Sequence, residues 1–273
     1  MSTATLSHPV RARGFTLLEM AIVLFILGLL IAGLIGPVEV QIEARDRYKT
    51  HALMEQVMEA LYGYALTNRR LPCPDQDGDG MPDPAFDPAS AASAQCAVAT
   101  GFLPWAVLGV EPGDAWGNRF DYRVRSPDFT WPAQDATCNG DSVHELDLCT
   151  QGNISIKTRG DNATTGGVSE GKYLFDAATD KNVAAVILSH GRNGYGATSV
   201  SGTRRGGVPA DNVDEAENAD GDATFMQRNY SRAQNGCADD ANESTPLCEY
   251  DDLVMSVSRA ILNSRMVSAG QLP

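Results

Sequence analysis

The sequence predicts an α+β fold: one long N-terminal helix, its first half in a membrane, packed against a small antiparallel β-sheet with long, disulfide-stapled loops. Three observations lead there. Residues 15–36 form an apolar stretch of 22 residues whose single charge is Glu19. Helical spacing of apolar residues continues past that stretch, and after a polar gap only short, strand-like runs follow. Long connections rich in Gly, Asn and Asp separate those runs, and six cysteines fall among them as three sequence-local pairs.

About 20 apolar residues span a bilayer as a helix, so 15–36 reads as a transmembrane segment with Arg11 and Arg13 on its cytoplasmic side. Pro37 follows, yet Leu53, Met54, Val57, Met58, Leu61 and Tyr62 keep the spacing of one helix face, with Glu55, Gln56 and Glu59 opposite. A single helix from about Phe15 to Leu66, bent near Pro37, accounts for both patterns. Residues 37–68 are then its second half, which packs on a globular domain of residues 69–273. From Asn68 to about Thr100 the chain turns to Pro, Asp, Gly and Ala without periodicity, which is loop chemistry. Arg119–Arg125, Asn153–Thr158, Val183–Ser189 and Leu253–Ser258 read as strands. No further strong helix pattern is present, and Asp211–Asp222 reads as a solvated acidic loop. Trp116 and Tyr122 are expected as core anchors beside the turn formers Gly117 and Asn118.

The start of the apolar stretch carries more information than its hydropathy. Arg11 and Arg13 lead to Gly14, Phe15, Thr16, Leu17, Leu18 and Glu19, and then to the long apolar run. A carboxylate inside hydrocarbon is costly and marks a function that needs a partner. This order resembles the type III signal of type IV prepilins and type II secretion pseudopilins. The segment Asp114-Ala115-Trp116-Gly117-Asn118-Arg119-Phe120-Asp121-Tyr122 is similar to the turn that feeds the first sheet strand of pseudopilins, with Arg119 where that family has proline. The tail from Tyr250 to Pro273 also resembles the closing strand and tail of large prepilin-type proteins.

The resemblance implies a pilin-like fold and a leader peptide, residues 1–14, cut after Gly14 by a prepilin peptidase that also methylates the new amine of Phe15. It implies that residues 15–36 bundle into the core of a helical filament, where Glu19 pairs with the Phe15 amine of a neighbouring subunit. The partners it implies are this peptidase/methyltransferase, other pilin or pseudopilin subunits and an inner-membrane assembly platform. The location it implies is single-pass insertion in the inner membrane of a Gram-negative bacterium, with the C-terminal domain in the periplasm, before entry into a type II secretion pseudopilus or a type IV pilus. A mature length of 259 residues is large for a major subunit and points to a minor one.

The net charge is −14, and removing residues 1–14 takes away two arginines and no acid, leaving −16. Such a surface repels phosphates, so nucleic acid is not an expected partner. In an oxidising compartment the six cysteines are expected to form disulfides. Fifteen pairings are possible; local pairing of Cys73 with Cys96, Cys138 with Cys149 and Cys237 with Cys248 is expected, because each would staple a loop with little apolar content. A zinc site is disfavoured: no Cys-x-x-Cys occurs, and His8, His51, His144 and His190 are scattered.

Asp75, Asp77 and Asp79, then Gly80, Met81 and Asp83, match positions 1, 3, 5, 6, 7 and 9 of a calcium loop, with the Met81 carbonyl as a ligand. Phe86 stands where an EF-hand has its bidentate glutamate, so the expectation is a lone calcium loop, and a solvated acidic turn is its alternative. Catalytic constellations are poor. Ser189 and His190 are adjacent on a strand end and face opposite ways, and no enzyme activity is expected. The functional expectation is therefore a structural pilin-like subunit; the alternative is a calcium-dependent adhesive or substrate-binding tip module on a pilin-type anchor.

Overall fold

The computed structural model describes residues 14–85, 87, 95–131, 146–159, 172–240, 242 and 244–272, without the side chains of 31–38. The leader up to residue 13, Phe86, Cys138, His8 and His144 lie outside the described residues. The chain divides into two compact units, Met1–Arg45 and Asp46–Pro273.

Helix α1 runs unbroken from Leu17 to Asn68. In the first unit the side chains from Leu17 to Leu30 are exposed, among them Leu24 and Phe25. Among the described residues no helix is long and apolar enough to cross a membrane. Residues 31–36 of the expected span lie outside the described side chains, and the apolar helical run from Leu17 to Leu30 covers about 21 Å at 1.5 Å per residue, short of the roughly 30 Å a bilayer core requires.

In the second unit α1 buries Thr50, Met54, Val57, Leu61 and Ala65, the three-and-four spacing of one face. That face covers a four-stranded antiparallel sheet in the order β1 (Thr100–Phe102), β2 (Asp121–Val124), β5 (Val183–Ser189), β7 (Leu253–Ser258). Tyr122, Val124, Ala185, Ile187 and Val257 pack with the helix in one cluster. The other face of β5 and β7 packs Val186, Leu188 and Val254 against Ile156 and Phe225 of a second sheet and against Ile154 just before it. That sheet has the order β4 (Lys172–Phe175), β3 (Ser155–Thr158), β6 (Thr224–Met226), with β3 and β6 parallel. All seven residues of β5 are buried because it lies between both layers, which is why it reads as a continuous apolar run.

The expected α+β fold with an N-terminal helix and an antiparallel sheet is present, and what needs correction is the expectation of no further helix or sheet. Among the described residues there are three further helices: α2 (Trp105–Leu108), α3 (Val213–Ala219) and α4 (Arg259–Ser268). Leu262 and Met266 of α4 are fully buried in the α1 cluster, and Arg265 forms a bidentate pair with Glu59. Helix α3 replaces the expected solvated loop. Asn212 accepts from the Glu215 amide while its own amide group donates to Glu215, a reciprocal cap of the kind that starts helices. Asp214 is buried because two cations close on it, Arg228 Nε and Arg159 Nε at 2.6 and 3.1 Å from Oδ2, while the buried Glu215 accepts from Asn193, Asn212 and the Asp251 amide. Tyr122 is fully buried and donates to the Pro72 carbonyl, but Trp116 is only half-buried; the other fully buried aromatic of that segment is Phe120.

Disulfides close Cys73 to Cys96 and Cys237 to Cys248. Cys149 is disulfide-bonded as well.

Candidate assembly and cation-binding sites

Gly14 and Phe15 precede α1 and are exposed, and a Cβ placed on Gly14 would touch nothing within 4 Å. Thr16 is the residue before the first helical position. The Glu19 carboxylate accepts from the Thr16 amide at 2.9 Å and from its hydroxyl at 3.0 Å, while the Glu19 amide donates to Thr16 Oγ1. This is a capping box: Thr at the cap, Glu three residues on, each satisfying the other's orphan amide. The Thr-x-x-Glu spacing is plain in the sequence, and it gives Glu19 a local partner that a reading focused on membrane cost passes over.

The acidic loop hangs from the edge of the four-stranded sheet. Asp75 pairs with Phe102 of β1 through both main-chain groups, and the Cys73–Cys96 bridge closes the segment that contains it. Asp75 is buried and accepts from the amides of Asp77, Gly78 and Gly80, which winds the loop around its carboxylate. Asp77 caps the Asp79 amide, Asp79 caps the Met81 amide, and Asp83 accepts from the Gln76 amide. Burial raises the Asp75 carboxyl; the amides of Gly78 and Gly80 oppose that shift, and the charges of Asp79 and Asp77 add to it.

Asp75, Asp77 and Asp83 bring carboxylate oxygens within 4.8 Å of one another. Asp79 stands outside that group, and Met81 is half-exposed. A mixed set of carboxylates and carbonyls suits a hard divalent cation such as calcium, so the donors fit in kind.

Arg119, at the position where proline was expected, explains how the loop is held. Its guanidinium donates to the carbonyls of Gly78 at 2.7 Å, Val200 at 3.2 Å and Ser199 at 3.3 Å, and lies over the Phe102 ring. Only a planar donor fork reaches three carbonyls on two segments at once.

A second group of acids, Glu215, Asp251 and Asp252, is wholly buried and lies within 4.8 Å. Beside it the His190 ring contacts Asp121 at 3.0 Å, and Ser189 donates instead to Asp114 at 2.8 Å. Burial alone would depress the His190 imidazolium; the hydrogen bond to Asp121 and the charges of Asp121, Asp252 and Asp114 outweigh it and lift it to about 9. A cavity of about 40 Å³ between β2, β5, α3 and β6, lined by Asp121, Arg123 and Asn218, has room for a water or two.

Residues 10–35 match the prokaryotic N-terminal methylation motif, the signature of the prepilin-type signal of type IV pilins and pseudopilins. Gly14, Phe15, Thr16 and Glu19 all lie inside the match. The motif supports a pilin-like or pseudopilin-type subunit and implies processing by a prepilin peptidase and assembly with other pilin subunits. It covers less than a tenth of the chain. No curated protein and no solved structure matches the chain.

Proposed function

We propose that the chain is a minor structural subunit of a type II secretion pseudopilus or a type IV pilus, with no catalytic activity of its own. The observation that carries this reading is the match over residues 10–35, with Gly14 before the cut, Phe15 after it and Glu19 fifth in the mature chain. Cleavage after Gly14 frees the amine of Phe15, which is then methylated. Residues 15–36 anchor the precursor in the inner membrane of a Gram-negative bacterium, with Asp46–Pro273 in the periplasm, and later enter the filament core. There the Glu19 carboxylate exchanges its contact with Thr16 for the Phe15 amine of a neighbour, so that two charges are buried as a pair. Ser189 and His190 serve different carboxylates, Asp114 and Asp121, which supports a structural role.

Calcium belongs to this reading as a stabiliser of the acidic loop. Asp75, Asp77 and Asp83 would hold it, with Asp79 and the Met81 carbonyl as the further donors the spacing supplies; it would neutralise carboxylates that repel one another beside the Cys73–Cys96 bridge.

Mass spectrometry of the mature protein tests the assignment: an N-methylated Phe15 is expected as first residue, and a mature chain retaining Arg11 and Arg13 removes the basis for it. Glu19→Ala should leave membrane insertion intact and block incorporation into filaments. For calcium, the melting temperature of the detergent-solubilised chain should rise with the ion present. No shift up to about millimolar calcium returns the loop to a solvated turn.

A further inference from the structure

An asparagine followed by glycine is open to attack by its own main chain, because no Cβ on the second residue shields the nitrogen that attacks. The sequence holds three such pairs: Asn139-Gly140, Asn193-Gly194 and Asn235-Gly236. The first lies outside the described residues, and the other two have opposite surroundings.

Asn193 is tied down at its amide and at both ends of its side chain. Its amide donates to Asp251 Oδ2 at 2.9 Å, its Nδ2 donates to the two oxygens of Glu215 at 3.1 and 2.9 Å, and its Oδ1 accepts from the Tyr195 amide at 3.0 Å. The nitrogen that would attack it, on Gly194, donates to the His190 carbonyl at 3.0 Å. A Cβ on Gly194 would meet the Asn118 and Arg205 side chains at 3.3 to 3.5 Å, so the main chain there has little room to rearrange. Bringing the Asn193 side chain onto that nitrogen requires several of these hydrogen bonds to break together, at a net cost of about 1 kcal/mol each.

Asn235 and Gly236 form an exposed turn between two anchored points. On one side Ser231 pairs with Tyr250 through both main-chain groups, at 3.1 and 3.0 Å; on the other Cys237 is bridged to Cys248, and the Ala238 amide donates to the Pro246 carbonyl at 3.0 Å. Residues 232–236 between them are exposed. Among the described residues neither the Asn235 side chain nor the Gly236 amide has a hydrogen-bond partner, and a Cβ on Gly236 would find nothing within 4 Å. The carboxamide is therefore free to turn onto the next nitrogen, no bond holds that nitrogen back, and the turn is open to the water the reaction consumes.

We propose that Asn235 is a self-modification site, at which the chain deamidates through a cyclic imide with Gly236 while Asn193 is preserved by its hydrogen bonds. The Gly236 nitrogen gives its proton to solvent and bonds to Asn235 Cγ. The bond from Cγ to the carboxamide nitrogen breaks, and that nitrogen takes up a proton from solvent and leaves as ammonia. Water then opens the imide at either of its carbonyls: one opening yields aspartate, the other isoaspartate, whose main chain runs through the former side chain. Nothing is oxidised or reduced. Either product adds a negative charge to an already acidic chain close to Asp239 and Asp240, and isoaspartate lengthens the main chain beside the Cys237–Cys248 bridge. A long-lived copy of the protein thus acquires a mark of its age at this turn.

Peptide mapping of the full-length, detergent-solubilised chain during incubation at neutral and at mildly alkaline pH is the measurement, with a parallel sample reduced and unfolded in urea. In the native sample the peptide containing Asn235 should gain the mass of an amide-to-acid change and split into two species of equal mass, aspartate and isoaspartate. Conversion should be faster at the higher pH, since the attacking nitrogen must lose its proton. The peptide containing Asn193 should convert at least about tenfold more slowly, and the gap should close in the unfolded sample, where both asparagines are free. Asn235→Gln, whose longer side chain closes the ring far less readily, should abolish the first conversion and leave the Asn193 peptide as in the wild type. Equal native rates at the two asparagines overturn the proposal, because the geometry would then decide nothing. So does an Asn235 that stays intact in the folded chain, and conversion to aspartate without isoaspartate rules out the imide route.

Discussion

Replacing Gly80 by alanine should harm the acidic loop more than the same change at its neighbour Gly78, and the difference can be worked out from what each Cβ would meet. Both glycines are left-handed, with φ of +87° and +86°, a conformation that costs an alanine roughly 1–2 kcal/mol. At Gly78 the nearest atom is the end of the Arg119 side chain at 2.8 Å, which can move away; at Gly80 the new methyl would lie 2.6 Å from Trp105 Cε2 and 2.8 Å from the Ala106 Cβ, both set in helix α2. Forcing a methyl into such packing adds about 1–3 kcal/mol, so Gly80→Ala should cost about 2–5 kcal/mol and Gly78→Ala about 1–2. Gly202→Ala is the control: φ is +85° and nothing lies within 4 Å of its Cβ, so it isolates the backbone cost. In thermal melts, with about 2–4 °C per kcal/mol for a unit of this size, Gly80→Ala should fall near 10 °C and the other two about 4 °C. A Gly80→Ala variant that melts with Gly202→Ala would refute the claim that α2 packs against the loop at Gly80.

Three further outcomes are expected. His190 is lifted from 6.5 to about 9 in the folded state, so its stabilisation, about 3 kcal/mol, is complete below about pH 6.5 and is lost as pH rises through 9; in urea unfolding His190→Gln should lie below the wild type at pH 6 and converge with it at pH 10. Replacing Cys73 and Cys96 together by serine should cost about 3 kcal/mol, and the Cys237–Cys248 pair about half a kcal/mol less because it closes the shorter loop, differences that guanidinium denaturation resolves. Arg119→Ala should cost about 1–3 kcal/mol by chemical unfolding, and Arg119→Lys should recover less than half, since one ammonium cannot reach three carbonyls.

The parts of the fold legible in the sequence are those whose signal is local. Val183–Ser189 and Leu253–Ser258 were readable as strands with the bounds the structure gives, because burial between layers made them runs of apolar and β-branched residues. The buried face of α1 from Met54 to Ala65 follows from its spacing. What escaped depends on distant partners. Strands β1, β4 and β6 have three or four residues each and are defined by pairing with segments elsewhere. The acid-rich stretch around Asp214 looks solvated until Arg159 and Arg228 are seen to close on it, and neither is near it in sequence. For the candidate sites, the order Gly14, Phe15, Glu19 was fully written in the chain, and so was the Asp75–Asp83 spacing. The role of Arg119 was not, because its three carbonyl partners lie on two other segments.

The partners of the earliest helix are made last. Arg69 donates to the carbonyl of Gln271, 202 residues away, and Glu59 binds Arg265 across 206 residues; Leu262, Met266 and Leu272 fill the core beneath α1. The apolar face of α1 from Met54 to Ala65 is therefore covered in part by β2 and β5 and completed only when α4 and Leu272 arrive. Contacts of such sequence separation close slowly. During that wait the exposed face is a target for chaperones and for misplaced apolar partners. Removing α4 and Leu272 would leave part of that face uncovered, so chains cut before Arg259 should expose apolar surface even where both sheets form.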